Sequence, residues 1–312
     1  MRTARPEPIV VGVDDSASSR AAVVYAAREA ESRGLPLRLV CGYLVPTPCL
    51  TPLAPLLDDR TLLASARDRL AETAQVVRSR RPQLPLATRA IRASGSAALI
   101  QESVTAGLLV VGAPHLGGFA VSPIGSILAQ VVAQARCPVL VVPRPEVVPP
   151  PALGTGPVLV GVDGSRTSEA VLSFGFEEAS ARNVPLIATH VWSVPELSGL
   201  SAVGSGVQWA SELDRAQVQL QENAERMLAE TLAGWQERYP DVVVRRWVVH
   251  SFGTARVLLD VAREVSAGLV VVGSRGRGVV TGAVLGSVSQ VLFSHAAVPV
   301  AVIGPLAEET DR

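Results

Sequence analysis

Two segments in the C-terminal half combine residue types that could bind a phosphate group. One runs from Gly273 to Gly276, and the other, Gly286-Ser287, precedes an apolar stretch of helical length. Glycine lacks Cβ, so its backbone can take a positive φ and come close to a ligand. Backbone N–H groups in such a loop form an anion-binding nest, and a helix N-terminus attracts phosphate oxygens. The pattern therefore predicts a phosphate cradle.

Two polar side chains could complete this site. Asp163 follows another apolar run, and its carboxylate could accept a hydrogen bond from a ribose hydroxyl or a base amine. The Ser287 hydroxyl could donate to a phosphate or cap its helix. A buried turn followed by a capped helix would show half of this pattern without any ligand. A nucleotide site and a purely structural turn are therefore both open at this point.

The composition excludes several classes of nucleotide enzyme. All 28 residues counted as Lys or Arg are arginine, whereas P-loop proteins, pyridoxal enzymes and protein kinases each need a lysine. The segment around Asp163 resembles the SGGxDS loop of ATP pyrophosphatases, but the second glycine of that loop is missing. We therefore predict a binding protein and not an enzyme. Slow ATP hydrolysis by bound water stays an alternative, although the sequence names no general base.

Charge and cysteine content point away from nucleic acid, membranes and metals. Lys+Arg is 28 and Asp+Glu is 28, so the formal net charge is zero and no basic footprint for nucleic acid stands out. No apolar run is long enough to span a bilayer, and no signal peptide is visible. The three cysteines and four histidines show no metal-ligand spacing. We expect a cytoplasmic protein with no nucleic-acid or membrane partner.

The chain contains an internal repeat. The segment PIVVGVDDSASSRAAV, from Pro8, recurs as PVLVGVDGSRTSEAVL, from Pro157, and a second block from Leu108 recurs from Leu269. Two long similar segments in the same order indicate a duplicated domain, not a solenoid of short repeats. The stretch at 144–156 is too rich in proline for a helix or a central strand. We predict domains at 1–143 and 157–306, joined by a linker at 144–156.

Short β-branched runs alternate with segments of helical length in each half. In the second half, strands are predicted at 158–162, 186–191, 242–249, 269–272 and 298–303, and one long helix over 211–238. Nearly continuous apolar runs are typical of parallel strands buried on both faces, so the fold class is α/β with doubly wound sheets. We expect two separate five-stranded domains and not one continuous ten-stranded sheet.

The last strand of each half is apolar and needs a partner. These strands, at 139–142 and 298–303, are expected to pair with each other and so form a pseudo-dimer inside one chain. A homodimer of the whole chain is compatible with the same property. In the alternative to nucleotide binding, the protein is an interaction module or scaffold in which a nucleotide is structural or absent.

The glycine pattern and its flanks resemble the universal stress protein family in its tandem two-domain form. Gly273-x2-Gly276-x9-Gly286-Ser287 matches the family's G-x2-G-x9-G-S/T motif, and VGVDGS, VVVGSRGRG and LGSVSQVLFSHAAVPVAVI follow in the family's order. The resemblance covers nearly all of both halves. It implies Rossmann-like domains of the adenine nucleotide alpha hydrolase-like type, each with five parallel strands in the order 3-2-1-4-5. It also implies that ATP, with or without Mg²⁺, binds between the first and fourth strands.

The resemblance also assigns roles to individual residues. It places Val191 by the adenine, Asp163 by the adenine and ribose, and the loop from Gly273 to Ser287 around the ribose and phosphates. The predicted contacts of the C-terminal half are Asp163, Ser165, Val191, Gly273, Arg275, Gly276, Gly286, Ser287, Val288 and Ser289.

The N-terminal half keeps only part of this motif. The weaker set of predicted contacts is Asp14, Gly112, His115, Gly125 and Ser126. His115 replaces the second glycine of the motif, Pro114 removes one N–H from the cradle, and Gly42 stands where the other half has Val191. If the second glycine needs a positive φ, histidine is tolerated there only at a cost. We therefore predict a weakened or vacant site, with a contact between His115 and a phosphate as the alternative.

Overall fold

The computed structural model describes residues 7–44, 58–113, 126–144, 156–165, 167–193, 207–276 and 285–307, without the side chains of 126 and 207–214. The linker predicted at 144–156 lies almost wholly outside these residues. The described part of the N-terminal half runs β1 (Ile9–Gly12), α1 (Ala17–Ser32), β2 (Leu37–Tyr43), α2 (Asp59–Arg80), β3 (Leu86–Arg92), α3 (Gly95–Ser103), β4 (Leu108–Gly112), α4 (Ser126–Gln134) and β5 (Val139–Val142).

The C-terminal half repeats this order with one additional short helix. Its elements are β6 (Val158–Gly161), α5 (Thr167–Arg182), β7 (Leu186–Trp192), α6 (Val207–Leu232), α7 (Trp235–Arg238), β8 (Val244–His250), α8 (Thr254–Glu264), β9 (Leu269–Gly273), α9 (Ser287–His295) and β10 (Val300–Ile303). The strands predicted to begin at 242 and 298 therefore begin two residues later.

Local sequence explains where several helices begin and end. Ser16, Asp58 and Ser94 are the N-caps of α1, α2 and α3, and each side chain accepts a backbone N–H from the first turn. The prediction of one helix over 211–238 is wrong, because α6 ends at Leu232. Gly234 follows with a φ of 81°, a left-handed conformation that interrupts the helix before α7 begins.

The two halves have the predicted α/β fold. Each forms five parallel strands, β3-β2-β1-β4-β5 and β8-β7-β6-β9-β10, which is the order 3-2-1-4-5 in both. Successive residues of a strand enter different core layers: Val11 packs in one layer and Val10 in the other. Helices cover both faces, so the middle strands are buried on both sides and read as continuous apolar runs.

The expectation of two separate sheets is wrong. Strands β5 and β10 pair antiparallel, with Leu140 opposite Ala301, and join all ten strands into one hydrogen-bonded sheet. The pairing itself is the predicted one between the last apolar strands. Because each of these strands leaves an open row of backbone groups, pairing them satisfies both edges and necessarily makes the sheet continuous.

Helices α1 and α5 carry a buried ion network across the same seam. Glu29 of α1 lies one turn before Arg33, the C-cap residue of that helix, and Glu178 and Arg182 of α5 occupy the equivalent positions. Arg33 pairs with Glu178, while Arg182 pairs with Glu29 at 3.3 Å. The Glu178 side chain is only 1% exposed. The two halves therefore meet as a pseudo-twofold pair, through charges as well as strands.

No helix among the described residues is both long and apolar enough to cross a membrane. Two of the cysteines, Cys41 and Cys137, are buried free thiols, and burial raises the pKa of Cys137 to about 12. Among the described residues, no group of three or more His, Cys, Asp or Glu side chains could hold a metal ion.

Candidate functional site

A cavity of about 480 Å³ opens at the carboxyl ends of β6, β7 and β9. Strand β6 lies between β7 and β9 in the sheet, so the cavity has a β7 side and a β9 side. Every predicted contact of the C-terminal half lines it, with the exception of Ser165. This is the edge at which open α/β sheets bind ligands.

Asp163 lies at the centre of this edge, directly after β6. The Ser165 N–H donates to Asp163 Oδ1 at 2.9 Å, and the Ser168 hydroxyl donates to the same oxygen at 3.0 Å. Gly164 makes the turn between them with a φ of 71°. Ser165 therefore holds the carboxylate through its backbone N–H, and the residue lines a neighbouring pocket that includes Trp235.

Gly276 lies against the Asp163 carboxylate. A Cβ at position 276 would be 2.9 Å from Asp163 Oδ2, closer than side-chain carbons normally approach. The φ of Gly276 is not among the positive values of the described residues, so the suggested need for a left-handed conformation is not met. A side chain at this position would have to displace the Asp163 carboxylate.

The two ends of the glycine segment are tied together. The Gly286 N–H donates to the Ser274 carbonyl at 2.9 Å, and a Cβ on Gly286 would lie 3.0 Å from that oxygen. Gly286 is also the N-cap of α9 and provides no side-chain cap, so a ligand can reach the first N–H groups of the helix. Ser287 is exposed and is the first residue of α9, not its cap.

Two other predicted contacts also have structural tasks. A Cβ on Gly273 would lie 2.7 Å from Thr167 Cγ2, so this glycine allows β9 to pack closely against α5. The Ser289 hydroxyl donates to the Gly273 carbonyl at 3.2 Å and is buried. The start of α9 is thereby fixed to the end of β9, which orients the helix N-terminus toward the cavity.

The β7 side of the cavity carries apolar residues beside polar ones. Val191 of β7 and Leu258 of α8 line it next to Val272 of β9, and Gly161 leaves room between the last two, since a Cβ there would lie 3.2 Å from Val272 and 3.3 Å from Leu258. Thr189 lines the same side.

Sequence reasoning missed several residues that line the cavity, among them Thr189, His190, Trp192, Thr254 and Leu258. Three of them stand in the last residues of β7, whose carboxyl end a sheet of this topology brings to the site, so their position was a usable signal. His190 is buried, with Nδ1 2.7 Å from the Val162 carbonyl. The Trp192 indole donates to Gln221 at 2.8 Å.

The N-terminal half has the same turn after its first strand but different surroundings. The Ser16 N–H donates to Asp14 Oδ1 at 2.8 Å, as Ser165 does to Asp163, yet Asp14 is exposed. The next residue, Asp15, pairs with Arg69 of α2 at 2.6 Å through both carboxylate oxygens. A hydrogen bond from Arg69 lowers the pKa of Asp15.

Two glycines of this half are tightly enclosed by backbone. A Cβ on Gly42 would lie 2.9 to 3.0 Å from backbone atoms of Ala93 and Gly95, so the position equivalent to Val191 is covered by the start of α3. A Cβ on Gly112 would lie 2.4 Å from the Ser18 backbone. The predicted residues His115 and Gly125 lie outside the described residues, and Ser126 opens α4.

Comparisons with known proteins agree for both halves. A family model described as "Universal stress protein family" matches residues 6–143 and 154–304. A universal stress protein of Mycobacterium tuberculosis is 39% identical over 302 residues, covering 94% of this chain and 95% of that protein. One of Mycolicibacterium smegmatis is 37% identical over 303 residues, with coverage of 95% and 97%.

A solved structure shows the same fold. The crystal structure of a universal stress protein from Archaeoglobus fulgidus superposes with a TM-score of 0.65 at 19% identity, over 96% of this chain and 99% of that one.

Proposed function

The chain belongs to the universal stress protein family, and from this premise we propose that its C-terminal half binds an adenine nucleotide, ATP first of all, in a regulatory, stress-related role. One observation carries the proposal: a single cavity has a glycine loop and a helix N-terminus on its β9 side and apolar side chains on its β7 side. Phosphates suit the first surface and a purine base the second. The volume of about 480 Å³ lies within the usual range for small-molecule sites.

The residues of the β9 side fit a phosphate chain. Gly276 and Gly286 leave the backbone bare at points where a Cβ would fill the cradle, and α9 has no side-chain cap. Arg275 is exposed and makes no ion pair within the described ranges, so its guanidinium is available to a phosphate. When Mg²⁺ accompanies ATP, phosphates can supply most of its ligands, which agrees with the lack of a preformed metal cluster in the described residues.

The site supports binding better than turnover. Asp163 and His190 are the described lining residues whose side-chain types commonly serve as general bases. Asp163 Oδ1 already accepts two hydrogen bonds, and His190 Nδ1 is held by the Val162 carbonyl. These bonds fix the positions of both side chains within the protein. We therefore propose a nucleotide-responsive regulator, with slow hydrolysis as the second candidate.

We further propose that the N-terminal half binds nucleotide weakly or not at all. The start of α3 closes the space over Gly42, where the other half exposes Val191 to the cavity. Without that space the half can offer a phosphate loop but no equivalent base surface. The cytoplasmic location, the absence of nucleic-acid and membrane partners, and a homodimer of the whole chain stay predictions.

Two measurements test the proposal. Mass spectrometry of denatured protein, purified without added nucleotide, should release ATP. Calorimetric titration of nucleotide-free protein should then give one strong site per chain. D163A should weaken it at least tenfold, and the matched change D14A should leave it within twofold, since only Asp163 borders the cavity. Two equal sites, or equal effects of the two substitutions, would contradict the assignment to the C-terminal half.

A further inference from the structure

Thr189 carries a buried hydroxyl group that has no hydrogen-bond partner among the residues that the structure describes. The residue is 1% exposed, and its Oγ1 makes no hydrogen bond within the described part of the chain. Leaving such a group without a partner is costly, because water satisfied it in the unfolded chain. Buried polar groups that stay unpaired in a folded protein therefore call for a functional explanation.

The position of Thr189 offers that explanation. It lines the nucleotide cavity on the β7 side, two residues before Val191 and on the same face of the strand. In the sheet it stands opposite Gly161, which has no side chain to cover it. Val272 and Leu258 bound the space above Gly161. The Thr189 hydroxyl is thus a polar group with the apolar residues Val191, Val272 and Leu258 as fellow lining residues of the cavity.

We propose that Thr189 is a base-binding residue, whose hydroxyl forms a hydrogen bond with the edge of the adenine ring. This inference rests on the proposed nucleotide site and assigns one polar contact of its base. A threonine hydroxyl can donate to a ring nitrogen or accept from the exocyclic amine. The bound base would thus supply the missing partner, and the cost of the unpaired hydroxyl in the empty protein would be recovered on binding.

The N-terminal half provides a natural comparison at the same register. Val40 stands opposite Gly12, as Thr189 stands opposite Gly161, so the two residues occupy equivalent places in β2 and β7. Valine has nearly the same shape as threonine without the hydroxyl, and it is buried at 2% exposure there. The half with the closed base surface therefore lacks this hydroxyl, and the sheet accepts valine at this position.

The substitution T189V shows whether the Thr189 hydroxyl contacts the ligand or whether Thr189 has only a structural place in β7. It should weaken ATP about fivefold, the effect of one lost hydrogen bond, while the unfolding midpoint without nucleotide stays the same or rises. The affinity for AMP should fall by the same factor, because AMP has the same base as ATP. T189S keeps the hydroxyl and should bind within twofold of the wild type. T231V removes a hydroxyl that bonds to Met227 outside the cavity and should not change the affinity.

Calorimetric titration of the full chain with ATP and AMP, together with thermal unfolding, decides the matter. Unchanged affinity in a folded T189V overturns the base contact, whatever its stability. Equal weakening by T189S and T189V overturns it as well, because the hydroxyl would then not be responsible. A wild-type chain that binds no adenine nucleotide overturns both this inference and the proposed function. Wild-type binding that T189V leaves unaltered overturns the base contact alone.

Discussion

The regions after the first strand of each half begin alike and end differently. In both halves an aspartate side chain, Asp14 or Asp163, accepts a hydrogen bond from the backbone N–H of the serine two residues later. In the N-terminal half the next residue is Asp15, which pairs with Arg69, whereas Gly164 follows in the C-terminal half. In the N-terminal half this region forms an ion pair within the protein, whereas in the C-terminal half it borders a cavity. A repeated local motif therefore does not create a site unless the surrounding elements leave room.

The largest expected effect concerns the seam, where the two halves should behave as equivalents. E178A should destabilise the chain by about 3 kcal/mol, since it removes one of the two buried carboxylates that Arg33 and Arg182 share and leaves Glu29 as the other. E29A, at the equivalent position but less buried, should cost somewhat less. D260A removes only exposed ion pairs and should cost at most about 0.5 kcal/mol. Urea unfolding measures all three, and a large difference between E29A and E178A would break the pseudo-twofold comparison.

Gly112 and Gly273, the last residues of the fourth strands, should differ in how much their substitution destabilises the fold. In G112A the new Cβ would meet the rigid Ser18 backbone at 2.4 Å, so a loss of about 3 kcal/mol is expected. In G273A it would meet the Thr167 methyl group at 2.7 Å, and rotation of that side chain should limit the loss to about 1 kcal/mol. Equal losses in thermal unfolding would show that the two strand–helix contacts are not distinguished in this way.

Substitutions of Gly276, which lies beside Asp163, test why the C-terminal half should bind ATP more tightly than the N-terminal half. G276H copies the residue of the N-terminal motif, and its side chain must displace the Asp163 carboxylate from 2.9 Å away. We expect ATP affinity to fall at least tenfold, about 1.4 kcal/mol. G276A should fall in the same direction by less, because only one carbon is added. Calorimetric titration checks both, and wild-type affinity in G276H would remove the proposed role of this glycine.

The smallest expected effect lies in the ion pair that distinguishes the N-terminal half. Arg69 lowers the pKa of Asp15, so the pair stabilises the fold above the unfolded carboxyl pKa of about 4, and this contribution is lost as pH falls through the lower folded value. Because Asp15 is exposed, R69M should cost only a few tenths of a kcal/mol at pH 7. The difference from wild type should shrink between about pH 5 and pH 3. A difference independent of pH would point to lost packing instead.

The sequence by itself determined the architecture of each half. Apolar runs, their spacing and the repeat are local properties, and they predicted parallel strands, the domain duplication and the pairing of the last strands. Nine of the ten contacts predicted from the strand ends, the glycine motif and the family resemblance line one cavity, because strand ends of a doubly wound sheet meet at one edge. The sequence pattern did not predict that α6 ends before Gly234, since an isolated glycine within a helical pattern is often tolerated.

Only the tertiary structure decided how these parts meet. It joined the two predicted sheets into one, placed Ser165 at a neighbouring pocket, and gave Gly276 a steric reason in place of a backbone one. It also brought Thr189 and Leu258 to the site and closed the space over Gly42 with the start of α3. These outcomes depend on distances between residues far apart in the chain. Local pattern carries no information on such distances, because they are set by how whole elements pack.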